Sequence, residues 1–476
     1  MTKEMTRKMS ISIIGGGVGG CAVGALLAHK GFQVKLFDKN KIIGGRCTTY
    51  EYNGFKIDLG VHLFGVGDNG PLGEVCRQVE KPEAIHWVLA REPRPILNYC
   101  GDRKIYSVKT MNEMLGNEKE IKSGNKFWYD CITMSRKQIE DIYYETLTEF
   151  LFRYSVNPIF LMLVTQFCLQ YFCISPYEAS AGEFVRCFQE VIKAKSSAYP
   201  LGGCISIPDA YAKAIVDFGG NVRLNTHVSK IIIEDEQVKG LEFEDGSSIE
   251  TDLIISNADI KHTVFNLVGE KHFPSEYRER IKNLKYATQA MSIKVALDEV
   301  VTDQKLIMYI PVPFNEALEL FPWKSREPPE KISGMITSPT NFDPNLAPPG
   351  TQLISFAVFW SNIRSRLNRS ETNRWGEVLL ESLIECLPEI KGHVMWYRTD
   401  TPDLVEQYAG EEGNIIGVGQ TVDQIHERRP SQITPIKGLY IVGAEAGGHG
   451  IGTELAVSSA LELQFILQKK NHRKKN

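Results

Sequence analysis

Residues 15–20 read Gly-Gly-Gly-Val-Gly-Gly, and Gly15, Gly17 and Gly20 fit the spacing GxGxxG. The first glycine of such a run makes a tight turn. The second lets backbone approach a pyrophosphate, and the third lets a helix pack on a strand. The following helix offers unpaired N–H groups to phosphates at its first turn, where Gly19 also lies. Asp38 ends the next apolar run, 21 residues after Gly17. Its carboxylate is placed to accept hydrogen bonds from the hydroxyls of an adenosine ribose, and it argues against a 2′-phosphate there.

Three further segments extend this dinucleotide reading. Gly44-Gly45-Arg46 puts a glycine pair shortly after the ribose carboxylate, with an arginine able to neutralise pyrophosphate charge or face the ligand's ring system. Residues 54–62 form an apolar run bounded by Gly54 and Gly60 and ending at His62, as expected where backbone nears a planar ligand. Residues 443–454 hold Gly443, Gly447, Gly448, Gly450 and Gly452 together with Glu445, His449, Ile451 and Glu454. Structural loops rarely need so many glycines, and a helix opening there again aims N–H groups and the positive end of its dipole at a ligand. Gly443, Glu445, Gly450 and Ile451 are therefore binding candidates, as is Val228 further back in the chain. His62 and His449 are the catalytic candidates, each weighed against a hydrogen-bonded structural histidine.

The elements that must position these groups are legible around them. Residues 11–14 and 34–37 read as strands and 21–29 as a helix of small apolar residues, which makes a βαβ start. A helix over 211–218 stops at Gly219-Gly220. Strands over 221–224, 227–234, 237–244 and 248–255 follow, with a hairpin signal at Asp245-Gly246. This group is expected to form a meander. A strand over 438–442 and a helix over 453–467 close the unit. The expected organisation is a discontinuous nucleotide-binding domain from 10–90, 195–265 and 405–470. A substrate domain of 90–195 and 265–405, richer in aromatics and prolines, is interleaved with it. Residues 469–476 form a basic tail.

With 476 residues, 43% hydrophobic and 24% charged, the chain suits two domains of a globular protein. A net charge of −4 gives no reason to expect nucleic acid. The ten cysteines form no CxxC pair, so neither a metal knuckle nor a dithiol motif is read and free thiols in a reducing compartment are expected. The charged N-terminus lacks the apolar core of a signal peptide. Residues 158–174 form the longest apolar stretch, interrupted by Thr165, Gln166 and Gln170. A buried or interfacial helix is expected there rather than a membrane span. The expected location is cytoplasmic, with this stretch as the point of peripheral contact at the inner face of a membrane should the substrate be lipid-soluble.

Together the GxGxxG unit, Asp38, Gly44-Gly45-Arg46 and residues 54–60 resemble the N-terminal signature of the flavin amine oxidase superfamily. Within it the sequence is most similar to the phytoene desaturase-like group of carotenoid and retinoid oxidoreductases. The stretches 179–184 (Ala-Ser-Ala-Gly-Glu-Phe), 199–203 (Tyr-Pro-Leu-Gly-Gly) and 255–259 (Ile-Ser-Asn-Ala-Asp) carry that likeness, with Arg429-Pro430, Thr434-Pro435 and residues 438–460. The resemblance implies an α/β, glutathione-reductase-like Rossmann fold with an α+β second domain, and one non-covalent FAD. Glu445 would then hydrogen-bond the ribityl hydroxyls, with the helix dipole behind it stabilising negative charge on a reduced flavin. The implied reaction moves hydride between flavin N5 and a C–C bond of a hydrophobic, isoprenoid or polyene substrate. Asp38 stands where a glutamate is commoner, His449 where an arginine is common, and Glu445 where an aspartate is common. An FAD-dependent amine oxidase and a non-catalytic prenyl-binding protein are the alternatives on the same fold. Only one dinucleotide fingerprint is present, which leaves the electron partner open among dioxygen, a quinone, a redox protein, or NAD(P)H entering from the substrate side.

Overall fold

A computed structural model describes residues 9–60, 63–319, 325–360, 366–409 and 411–475. The apolar run Ser10–Ile14 forms strand β1, buried along its whole length. Helix α1, Val18–His29, follows after the glycine loop, and β2 is Gln33–Phe37. From Val18 to Ala28 every residue of α1 is buried, as expected of a helix apolar on all sides. Two later strands join this start: β3, Leu253–Ser256, and β4, Leu439–Ile441. The sheet runs β4, β3, β1, β2 and then Asn221–Arg223, with every pair parallel. The last helix, α2, spans Gly452–Lys475 and packs with α1 and the Ser206–Asp217 helix over one face. This is a Rossmann-type α/β sheet, and the α/β class expected from sequence is correct.

Two expected strands land elsewhere than the meander. The 221–224 segment pairs with Lys35–Phe37 at the edge of the parallel sheet. The segment expected to be one strand over 248–255 divides into Ser248–Glu250, in the antiparallel meander with Val228–Glu234 and Gln237–Phe243, and β3, in the parallel sheet. The break has a polar cause. Asp252 Oδ2 accepts from Ser10 N at 2.7 Å and Ser10 Oγ at 2.9 Å, which ties the crossover to the start of β1.

A second, seven-stranded sheet runs Val394–Asp400, Gln289–Leu297, Gln352–Trp360, Gly334–Thr337, Leu306–Ile310, Ile96–Tyr99 and Asp102–Ile105. Its residues alternate between faces with the period of two that pleating imposes. Ile293, Ile307, Ile336 and Phe356 pack with Trp375, Leu379 and Leu383 of the Arg369–Cys386 helix. The opposite face, with Ser292, Met308, Met335 and Ala357, looks into a cavity. Across that cavity lies the helix Pro158–Phe172. The stretch named as the candidate for membrane contact is thus enclosed: Phe160, Leu163, Val164, Cys168 and Phe172 are buried in the core. No helix among the described residues is long and apolar enough to cross a membrane. All ten cysteines are free, and all but Cys100 are buried.

Candidate functional site

One cavity of about 830 Å³ runs from the carboxyl ends of β1 and β2 to the second sheet. At its first end, Gly15, Gly17 and Gly19 form the floor. Gly17 is the N-cap of α1 and no side chain caps the helix, so its first N–H groups are left for a ligand. Asp38, 7% exposed, holds this turn in shape: its Oδ2 accepts from Gly16 N and its Oδ1 from Asn40 N, both at 2.7 Å. Burial pushes its pKa up, against these two N–H groups. A carboxylate has further lone pairs beyond these two bonds, enough to accept from ribose hydroxyls. Thr226, whose N–H donates to Asp38 O at 2.8 Å, continues the wall beside it with His227 and Val228.

The glycine loop owes its tightness to a residue far away in sequence. Asn257, just past β3, puts its side chain between the two glycine turns. A Cβ on Gly17 would lie 2.6 Å from Asn257 Nδ2, and one on Gly443 would lie 2.5 Å from Asn257 Oδ1. A Cβ on Gly19 would lie 2.9 Å from Oδ1. Gly20 meets the carbonyl of Gly15 instead, at 2.2 Å. Close approach of backbone to a side chain therefore accounts for Gly17, where the sequence suggested approach to a phosphate.

In the middle of the cavity the loop of Gly44, Gly45 and Arg46 lies against the glycine turn, with Gly44 N donating to Gly16 O at 2.8 Å. Arg46 grips Asn414 twice, Nε to the backbone O and Nη2 to Oδ1, both at 2.9 Å. Its Nη1 lies 3.6 Å from Glu445 Oε1. Glu445 is 3% exposed, and neither carboxylate oxygen has a hydrogen bond of normal geometry among the described residues. Burial and then the nearby Asp259 raise its pKa to about 7, while Arg46 and Arg429 hold it back. Arg429 fastens the turn that carries Glu445, Nε to Gly447 O at 2.7 Å and Nη2 to Ala444 O at 2.5 Å. Glu454, in the first turn of α2, is also buried, accepts from Val66 N at 3.1 Å, and is raised by burial to about 7. A buried carboxylate on a cavity wall, faced by Arg46 and short of hydrogen bonds of normal geometry, suits a polyol, which is what the ribityl chain of FAD presents. The uncapped start of α1 suits its pyrophosphate. The residues present thus fit FAD.

The far end of the cavity is a chamber. One rung of the second sheet crosses it: Met308 pairs with Met335, Met335 with Ala357, and Ala357 with Ser292. Opposite, Met162, Thr165, Gln166, Leu169, Gln170 and Cys173 recur at the spacing of one helix face.

The structure brings Gly15, Gly17, Gly19, Asp38, Gly44, Gly45, Arg46, Val228, Glu445 and Ile451 onto one cavity wall. Gly20 and Gly443 lie behind it as packing glycines, and Gly450 lies behind it in a backbone turn at φ of 119°, its N donating to Glu183 Oε1 at 2.9 Å. His62 lies outside the described residues. His449 is not on the wall. Gly447 and Gly448 take φ of 60° and 69°, which turns the chain so that the imidazole faces Glu190, 3.6 Å away. Burial and Arg186 lower its pKa. Sequence reasoning missed Asn257, Asn414 and the chamber residues. Asn257 lay within a quoted stretch, and Gln166 and Gln170 showed as interruptions of an apolar run.

Residues 18–462 match the family described as flavin containing amine oxidoreductase. Over 98% of its length the chain is 25% identical to 4,4′-diapophytoene desaturase (4,4′-diapolycopene-forming) from Methylomonas sp, covering 96% of that protein. It is 23% identical to the chloroplastic prolycopene isomerase of Daucus carota, over 92% of the chain and 76% of the isomerase. The solved structure of an oxidoreductase from Methanosarcina mazei superposes with a TM-score of 0.75 at 21% identity, covering 96% of this chain and 100% of that one. With a match that runs from the first turn of α1 into α2, this chain belongs to the flavin containing amine oxidoreductase family and is an FAD-dependent oxidoreductase.

Proposed function

We propose that the chain moves hydride between the flavin and a carbon–carbon bond of a hydrophobic, isoprenoid or polyene substrate, as a desaturase or saturase. FAD, when bound, supplies the hydride acceptor or donor. The observation that carries the reading is the continuity of the cavity from the uncapped end of α1 to a chamber faced by Met308, Met335, Ala357 and Leu169. In this reading Asp38 orients the ribose, the first turn of α1 and Arg46 hold the pyrophosphate, and Glu445 engages the ribityl hydroxyls. The sheet rung and the 158–172 helix then exclude water and press an apolar chain against the ring system. The substrates in the names of the two relatives, 4,4′-diapophytoene and prolycopene, support the same class. Amine oxidation is the weaker reading. The chamber is faced mainly by apolar side chains, Met162, Leu169, Met308, Met335 and Ala357, which suit a hydrocarbon chain better than an amine.

The test is anaerobic. Purified protein carrying oxidised flavin is mixed with partly saturated isoprenoids, and dithionite-reduced protein with the matching polyenes. Bleaching of the flavin band in the first mixture marks a desaturase, and its return in the second a saturase. Flavin that responds to neither, yet is bleached by primary or secondary amines, overturns the proposal.

A further inference from the structure

The Pro158–Phe172 helix is apolar toward the core and mixed toward the chamber, where Met162, Phe167 and Leu169 share the wall with three polar side chains. Phe160, Leu163, Val164, Cys168 and Phe172 point into the core, whereas Thr165, Gln166 and Gln170 all lie on the chamber wall. Thr165 is satisfied internally, donating from Oγ1 to Leu161 O at 2.7 Å. The two glutamines are not. Gln166 is 6% exposed, and its Nε2 finds only the thioether of Met162, at 3.5 Å. A thioether is a weak acceptor, and Gln166 Oε1 has no partner among the described residues. Gln170 donates from Nε2 to the Tyr106 hydroxyl at 3.1 Å and touches Met308 Sδ at 3.5 Å, which leaves its own Oε1 open. Tyr106 accepts that bond and keeps its proton for another acceptor.

We propose that this helix face recognises an oxygen atom on the substrate, so that the chain acts on an apolar molecule bearing a hydroxyl or carbonyl group rather than on a pure hydrocarbon. The inference rests on the apolar-substrate reading above and adds the oxygen to it. A hydrocarbon filling the chamber would strip water from both amides and return no hydrogen bond, and buried polar groups are rarely left in that state. A hydroxyl can donate to a glutamine Oε1 and accept from Gln166 Nε2 or Tyr106. A carbonyl can only accept, from the latter two. The sheet opposite is mainly apolar, with Met308, Met335 and Ala357, and adds only the small hydroxyls of Ser292 and Ser333. The amides and the Tyr106 hydroxyl are gathered on the helix side of the chamber, which would fix the orientation of the substrate as well as its class.

The test compares two ligands on FAD-loaded protein: a C20 isoprenoid alcohol, and the hydrocarbon in which a methyl group replaces its CH2OH. Each is delivered from cyclodextrin and followed by the change it causes in flavin absorbance. The alcohol is expected to bind about 10- to 100-fold more tightly, the range for a site whose buried polar groups are otherwise left unpaired. In Gln166→Leu/Gln170→Met the ratio should fall to near one through loss of alcohol binding, with hydrocarbon binding unchanged or tighter. The single variant Gln166→Leu, carrying a smaller version of the same effect, serves if the double variant fails to retain flavin. Equal affinities in the wild type, or a ratio that survives the substitutions, overturn oxygen recognition and leave the apolar-substrate reading standing. Flavin-loaded protein that binds neither ligand overturns both.

Discussion

Gly17→Ala is the perturbation with the sharpest consequence, because sequence and structure give different reasons for the glycine. The motif suggests that a side chain would obstruct phosphates. The geometry shows that the added Cβ would lie 2.6 Å from Asn257 Nδ2, so relief needs a shift of about 0.8 Å to reach ordinary contact near 3.4 Å. Asn257 has little room to give, because Gly19 and Gly443 close on its Oδ1 from other sides. Overpacking of this kind costs about 1–3 kcal/mol. Asn257→Ala alone should cost about 1–2 kcal/mol, since it vacates that space and loses only the long 3.4 Å bond to Gly15 O. The two changes are therefore coupled. In the Asn257→Ala background, Gly17→Ala should add less than about 0.5 kcal/mol to the stability loss and weaken FAD less than about threefold. The assay is a double-mutant cycle, read by denaturant unfolding and by FAD titration of the four proteins. An undiminished cost of about 1–3 kcal/mol in the Asn257→Ala background would refute the packing argument, and recovery of stability without recovery of FAD binding would return Gly17 to the phosphates.

Other outcomes follow from the same geometry. Glu445→Gln should change the pH dependence of stability in flavin-free protein. With its pKa raised from 4.5 to about 7, Glu445 favours the native state at low pH and loses that contribution as pH rises through about 7, up to about 3 kcal/mol. Glu454 is raised to a similar value, so glutamine at 445 should remove roughly half of the fall in unfolding free energy between pH 5 and pH 8. Arg46→Lys cannot reproduce the two bonds to Asn414 and should weaken FAD about tenfold, seen as lower flavin absorbance per protein after gel filtration. Ala357→Phe should fill the chamber at the middle of the sheet rung, abolishing reaction of the flavin with apolar substrates while flavin content stays that of wild type.

What could be read from the sequence was what is local. Gly15 to Asp38 lies within one βαβ unit, where turn, helix start and strand end fix each residue's task over a few tens of positions. Contacts across long separations leave no such trace. Asn257 is an ordinary polar residue until β3 settles between β1 and β4. Met308, Met335, Ala357 and Ser292 share a rung only once the register of four strands is set, and a slip of one residue would turn each to the other face. The strand at 221–224 was assigned to the meander because its neighbours in sequence are there, yet β2 offered it a parallel edge. His449 sits in a motif that does reach the cavity, but backbone turned at Gly447 and Gly448 decides which of its side chains arrive. Gln166 and Gln170 were visible as irregularities, and only the helix's orientation gives them a use.

The order of strands in the parallel sheet also bears on how the chain is made. β1 is central, yet its neighbour β3 is separated from it by more than 230 residues, and β4 comes after another 180. During synthesis at about 5–20 residues per second, the first strand waits roughly 20–90 s for β4 to emerge from the ribosome. Through that interval α1 lacks α2 and the glycine loop lacks Gly443, and for more than half of it Asn257 as well, so an apolar helix and an unfinished sheet edge are exposed to chaperones. A truncated product ending before residue 439 would have no complete cofactor site, and acquisition of FAD becomes a late event that marks a finished chain.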